Sequence, residues 1–271
     1  MAITTRDGFL AAPKIVLPHY KTTTRTTVAG GWFSMFDVAG NVGAGVLAGG
    51  ETTPPATSAG RVTTDSIPGY PVIPYSTNSE YLSRLTVSNT VVSQIAIYDR
   101  LWVGGAYSFN ANTAVTSGSW ASRVSYGGGA ANYNGLEIWV ETVTAATGNQ
   151  TWNVTYTDQD GNTGATTGAV GIGAAPTVGR CWQLPLASGD SGVQAISNVA
   201  GGTGSAGTAN IMVLRPLVRI YVPVASQTIV LNYTDLGLPE IFADSALYWL
   251  VMAPSGTSSG TPWVEYQVAN G

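Results

Sequence analysis

Apolar residues recur at every second position along much of the chain. Leu136, Ile138 and Val140 alternate with Glu137, Trp139 and Glu141, and Trp152, Val154 and Tyr156 alternate with Asn153, Thr155 and Thr157. A period of two is the mark of a strand with one buried face. Residues 86–102 are rich in Val and Ile and broken only by polar singles, which predicts a pair of long strands or one bent strand. Residues 211–214 and 218–222 flank Pro216, whose missing N–H places an edge or a bulge there. Residues 229–231 and 263–268 bring the expectation to about nine or ten strands.

Helical pattern is scarce. The best stretch is 239–250, with Pro239 at a first helical position and Glu240 in the first turn, although its tail at 247–252 reads equally well as a strand. The turns agree with strands. Asp160-Gly161 is a hairpin signal, and 201–207 and 255–260 are Gly- and Ser-rich loops. Residues 51–74 hold five prolines and read as a long loop over the surface. Residues 37–44 and 158–165 share the pattern D-x-x-G-N-x-G-A after an aromatic strand, which predicts two hairpins with similar turns. The expectation is an all-β fold with a β-sandwich or jelly-roll-like core and few or no helices.

The first 30 residues lack this periodicity. They contain Lys14 and Lys21, the sole histidine His19, and Arg25. They predict an extended N-terminal arm before a β-sandwich domain at 31–271, which has room for two sub-lobes. Such an arm suits contact with a neighbouring subunit through Lys14, His19, Tyr20, Lys21 and Arg25.

Composition narrows the function. Only 26 of 271 residues are charged, 10%, against about 25% in an ordinary domain. The net charge of −4 gives no electrostatic footprint for nucleic acid. No apolar run reaches the roughly 20 residues of a membrane span, and the first residues lack the apolar core of a signal peptide. One cysteine, Cys181, and one histidine leave no disulfide framework and no multi-histidine metal site. A charge-poor surface suits a subunit covered by neighbours more than a free monomer.

Candidate chemistry is sparse. Residues 189–192 read Gly-Asp-Ser-Gly, as in a serine nucleophile motif, but the mechanism needs a histidine base and the only one lies in the arm. Residues 43–48 fit G-x-G-x-x-A, yet glycines and two prolines follow where a dinucleotide site needs a helix. Asp158, Asp160 and Asn162 alternate like calcium ligands without the glycine and glutamate spacing of a calcium loop, so a hairpin turn is the better reading and a structural Ca²⁺ the weaker one. Glu137 and Glu141 flank Trp139 on one strand face, about 13 Å apart at the backbone, beyond the roughly 5–9.5 Å carboxyl separation of glycosidases. That face reads as solvated or subunit-facing. No catalytic residue, cofactor or metal is expected. A sugar-binding surface would use Trp120, Tyr126, Tyr133 and Trp139 around the glycines at 127–129.

Residues 98–102 (Tyr-Asp-Arg-Leu-Trp) and 105–110, residues 173–180 with 184–186 and 188–192, and residues 213–217 and 238–247 together resemble a family of tailed-bacteriophage virion proteins. The resemblance covers most of 31–271 and is patchier in the arm. It implies a component of an assembled particle, and it brings no catalytic residue. The resulting expectation is a capsid decoration or cement protein in the virion, with the major capsid protein and copies of itself as partners, a homotrimer by preference. It would touch neither nucleic acid nor membrane. The alternative is a tail-associated or host-surface carbohydrate-binding adhesin.

Overall fold

The computed structural model describes residues 5–47, 59–74, 80–110, 112–172, 175–202 and 206–271. In chain order the strands are β1 (Lys14–Lys21), β2 (Trp32–Ser34), β3 (Gly40–Asn41), β4 (Arg61–Val62), β5 (Glu80–Ser88), β6 (Ser93–Ser108), β7 (Asn112–Ala114), β8 (Glu137–Thr144) and β9 (Gln150–Asp158). They continue with β10 (Thr163–Thr166), β11 (Val170–Ile172), β12 (Arg180–Leu184), β13 (Val193–Gly201), β14 (Thr208–Val222), β15 (Thr228–Asn232), β16 (Glu240–Ile241), β17 (Leu247–Met252) and β18 (Trp263–Asn270). Among the described residues two α-helices accompany them, α1 (Arg6–Ala11) and α2 (Tyr233–Leu236). The all-β expectation holds. The surplus over the expected count comes largely from strands of two or three residues, too short to show a period.

The strands form three antiparallel sheets in sandwich-like layers. The middle sheet runs β14-β8-β12-β2-β17-β6, and β6 pairs back onto β14, so the path closes into a six-stranded ring with β4 attached to β6. One outer sheet runs β15-β5-β18-β1-β3, and the other β10-β9-β13-β7. Three apolar clusters follow. Ile95, Ile97, Trp249 and Val251 of the ring pack against Leu82, Leu85, Val264 and Tyr266 of the first outer sheet. Ile138, Val140, Ile211 and Val213 pack against Trp152, Val154, Tyr156 and Val199 of the second. The alternate ring residues, among them Tyr98, Trp139, Met212, Leu214 and Tyr248, make the third cluster inside the ring.

A bulge lets β6 serve both layers. Its pairing with β14 steps from Arg100↔Leu214 to Trp102↔Val213, leaving Leu101 as the extra residue. Alternation slips there by one position, so Leu101 and Trp102 both join the cluster under the second outer sheet. Pro216 sits beside a second bulge, between the Pro216↔Tyr98 and Val218↔Ile97 pairs, beyond the last β14–β8 pair. A missing N–H costs little at that point, and the reading from proline holds.

Several expectations are corrected. Residues 14–21 are not an arm over a neighbour: β1 pairs along its length with β18, from Lys14↔Ala269 to Tyr20↔Trp263, and completes the chain's own sheet. Pro18 and the unbroken run Ile15-Val16-Leu17 hid its period. The stretch 239–250 is no helix; it is β16, a turn and β17, because ring pairing with β6 and β2 overrides the proline signal. The described part of the 51–74 loop, residues 59–74, does not simply cover the surface. It buries Ile67, Tyr70 and Ile73, while 51–58 lies outside the described residues. Of the two echoed segments only the second is a hairpin. Asp158 accepts the Asp160 and Asn162 N–H groups, each at 2.9 Å, in an Asx turn with Gly161 at φ +89°. In the first, β3 pairs with β1, and Asp37 is an ion-pair partner of Arg25.

Candidate interaction surface

Most of the residues singled out in the N-terminal segment are used inside the molecule. The Lys14 ammonium closes α1, donating to the carbonyls of Phe9 at 2.7 Å and Ala12 at 3.0 Å. Arg25 pairs with Asp37 and donates to the Val178 carbonyl. His19 and Lys21 point inward and are buried. The indole N–H of Trp249 donates to His19 Nδ1 at 3.0 Å, and Lys21 donates to the Val38 carbonyl at 2.9 Å. Burial, then the Lys21 charge, drives the His19 pKa well below its usual value.

The candidate sugar-binding aromatics do not gather into a surface. Trp120 is wholly buried, with its indole N–H on the Val193 carbonyl at 3.2 Å. Trp139 is buried inside the ring and donates to Glu137 at 2.7 Å. Both are corrected to core residues, since a large aromatic ring is first a packing group. Tyr126 is 39% exposed and packs beside Phe242 and the Arg215 guanidinium; Tyr133 is half-buried. Glu141, expected on a solvated or subunit-facing surface, is fully buried.

Two buried ionic clusters escaped the sequence reading. Inside the ring, Glu141 lies 3.6 Å from Arg100 and accepts from Tyr248 Oη at 2.8 Å and Asn210 Nδ2 at 3.1 Å. The Arg100 guanidinium stacks on the rings of Phe36 and Tyr248, 4.6 and 4.8 Å from their centroids. On the other side of β6, Asp99 pairs with Arg123 and with Arg215 at 3.0 Å, and accepts from Ser245 Oγ and the Ala246 N–H. Burial pushes its pKa up, but the two guanidiniums outweigh this and hold it below the ordinary value. The available signal was an Asp-Arg pair inside an apolar strand run, at residues 99 and 100. These groups are sealed within the fold and tie β6, β14 and the 240–246 turn together. In the Gly-Asp-Ser-Gly segment, Asp190 accepts from Tyr156 Oη at 2.6 Å and Ser191 bonds Asn134, while His19 is engaged with Trp249.

One side of the first outer sheet faces outward. Alternation on β1 turns Val16, Pro18 and Tyr20 out, and cross-strand register sets Tyr20 beside Trp263, Pro18 beside Glu265 and Val16 beside Gln267. The Tyr20 and Trp263 rings stack in parallel, 4.4 Å between centroids and 5° between planes. Trp263 stays 41% exposed, Val16 49% and, further across the sheet, Val230 41%. Ser88, Thr86 and Thr228 fill the same rows, and Arg84 and Glu265 supply the charges. An apolar and hydroxyl-rich face with an aromatic pair suits association, because aromatic anchors with little charge to desolvate are what interface cores hold.

No protein-family model matches the chain, and no curated protein matches it. Among solved structures the chain is similar to chains of infectious bursal disease virus. For the Gx strain the identity is 11% over 96% of this chain and 81% of that one, with a TM-score of 0.18. For the T=1 particles derived from that virus it is 10% over 96% and 78%, with a TM-score of 0.19. At such TM-scores the likeness carries no argument about what this chain does.

Proposed function

We propose that the chain is a structural subunit of a bacteriophage virion, one that decorates or cements the outside of the capsid. It acts by binding and catalyses nothing. The observation that carries this reading is the outward sheet face with its stacked Tyr20–Trp263 pair, on a chain with only 26 charged residues. The resemblance of residues 98–102, 105–110, 173–180, 184–186, 188–192, 213–217 and 238–247 to tailed-phage virion proteins supports it. In this reading the face seats on the major capsid protein between its subunits, and copies of the chain associate as a trimer. Stable contacts of this sort bury on the order of 1,200–2,000 Å². Nucleic acid and membrane take no part.

The test is incorporation into particles. Trp263 is 41% exposed and stacks on Tyr20, so Trp263→Ser should keep the far-UV spectrum and lower the melting temperature by no more than a few degrees. Binding to capsids lacking this chain should fall at least tenfold, as for loss of a central aromatic anchor. Undiminished capsid binding by that variant, or wild-type chain found only with purified tails, overturns the decoration reading. Specific capture on a glycan array would favour the adhesin instead.

A further inference from the structure

We propose that β15 is a self-association edge: it pairs antiparallel with β15 of a second copy of this chain, about a two-fold axis at Val230, and joins the first outer sheets of the two copies into one. β15 is the end strand of its sheet, with β5 on one side and no strand on the other among the described residues. The Asn232 N–H donates to the Asp235 carboxylate at 2.9 Å and not to β5. By the alternation of an antiparallel ladder, the main-chain groups of Val230 and Thr228 also face away from β5. They are open donors and acceptors on the edge of an apolar strand.

Other edges of the fold are guarded. β1 has Pro18 in its middle and Lys14 at its start, and Asn41 Nδ2 donates to the Pro18 carbonyl at 3.3 Å. β10 bulges between Thr163 and Ala165, with Gly164 at φ +87°. Prolines, lysines and bulges are the devices that keep edges from pairing. β15 reads Thr-Ile-Val-Leu-Asn, keeps an unbroken register with β5 and carries none of them, and residues 220–234 hold no charge at all.

The strand is complementary to itself, which makes a second copy its occupant. With Val230 on the axis, Val230 meets its own equivalent, Ile229 meets Leu231, and Thr228 meets Asn232. Ile229 and Leu231 are only half-buried against the cluster beneath the sheet, and this register gives each an apolar neighbour. No like charges oppose one another, as an isologous contact requires. Val224 and Tyr233, 57% and 38% exposed, flank the strand and add apolar area toward the roughly 1,200 Å² of a stable interface. The axis stands perpendicular to the sheet, so the outward faces of the two copies become continuous and neither is covered. The contact uses the edge rather than the face, and it holds whether or not that face seats on a capsid.

The experiment is sedimentation velocity on the purified full chain. The wild type should show a species of twice the mass of Val230→Lys, and the variant should associate about tenfold or more weakly, because it sets like charges together at the axis. Val230 is 41% exposed, so the variant's far-UV spectrum should match the wild type. Hydrogen exchange needs no variant: the Thr228 and Val230 amides should slow as the wild-type protein is concentrated. A wild type that stays monomeric through the micromolar range, with those amides exchanging equally fast throughout, overturns the proposal. So does an oligomer whose mass Val230→Lys leaves unchanged.

Discussion

At the scale of single residues, the informative groups are charges placed where water does not reach. Asp99 holds two arginines, so Asp99→Asn leaves two buried guanidiniums without their counter-charge. It should cost about 3–5 kcal/mol in urea unfolding, the usual penalty for breaking a buried pair from one side. Glu80 presents the opposite case. It is fully buried, and neither carboxylate oxygen has a hydrogen-bond partner among the described residues. Burial, with Asp65 adding to it, raises its pKa from 4.5 to about 7. A raised carboxyl binds its proton more tightly in the folded state, so its contribution to stability is complete below about 4.5 and is lost as the pH rises through 7. Glu80→Gln should therefore raise the melting temperature at pH 8 and change it little at pH 5. A variant equally affected at both would show that the carboxyl does not titrate in this range. None of these roles was legible in the sequence. Charge and residue type are local, whereas the pairing of Asp99 with Arg123 and Arg215 spans separations of 24 and 116 residues.

At the scale of elements, strands were read well where burial of one face leaves a clean alternation. β9 and β18 are such strands, while β8 alternates in sequence but is buried on both faces. Reading failed where another force set the conformation. β1 carries Pro18 and is defined by register with β18. β17 begins within a segment that starts like a helix, and its two ring neighbours decide it. The β9–β10 turn was legible because its chemistry is local: Asp158 caps the two N–H groups and Gly161 takes a positive φ. Gly161→Ala should destabilise the chain by about 1 kcal/mol, since φ near +89° is open to glycine and strained for alanine. Chemical denaturation reads this directly, and an unchanged midpoint would refute the requirement for glycine. Tyr20 was singled out in the sequence as part of an arm, and the structure places it on β1. Its stacking partner Trp263 lies 243 residues away and was visible only as a strand residue.

At the scale of the whole molecule, β6 and β14 decide how the layers hold together. β6 supplies side chains to all three apolar clusters, through Ile95 and Ile97, Tyr98 and Val103, and Leu101 and Trp102. β14 does the same through Ile220, Met212 and Val213. Neither outer sheet can lose its support without disturbing strands that the other also needs. Unfolding should be a single cooperative transition, and in hydrogen exchange the amides of residues 93–103 and 211–215 should open last, near the global free energy. Early exchange of these strands, or two resolved transitions, would mean that the layers are independent. The scarcity of charge belongs to this scale as well. It was fully legible in the sequence, and the structure adds that much of the charge is internal, so the exterior is more neutral than the count of 26 implies.

The two lysines carry a practical consequence. Lys14 is bound to carbonyls at the end of α1, and Lys21 faces the interior beside His19. Amine-directed cross-linkers and labels thus find almost no reactive handle on the described side chains. Cross-linking of any assembly of this chain with such reagents would under-report its contacts. Reagents for carboxylates or tyrosines, aimed at Glu265, Asp235, Tyr221 or Tyr233 on the exterior, would reveal them.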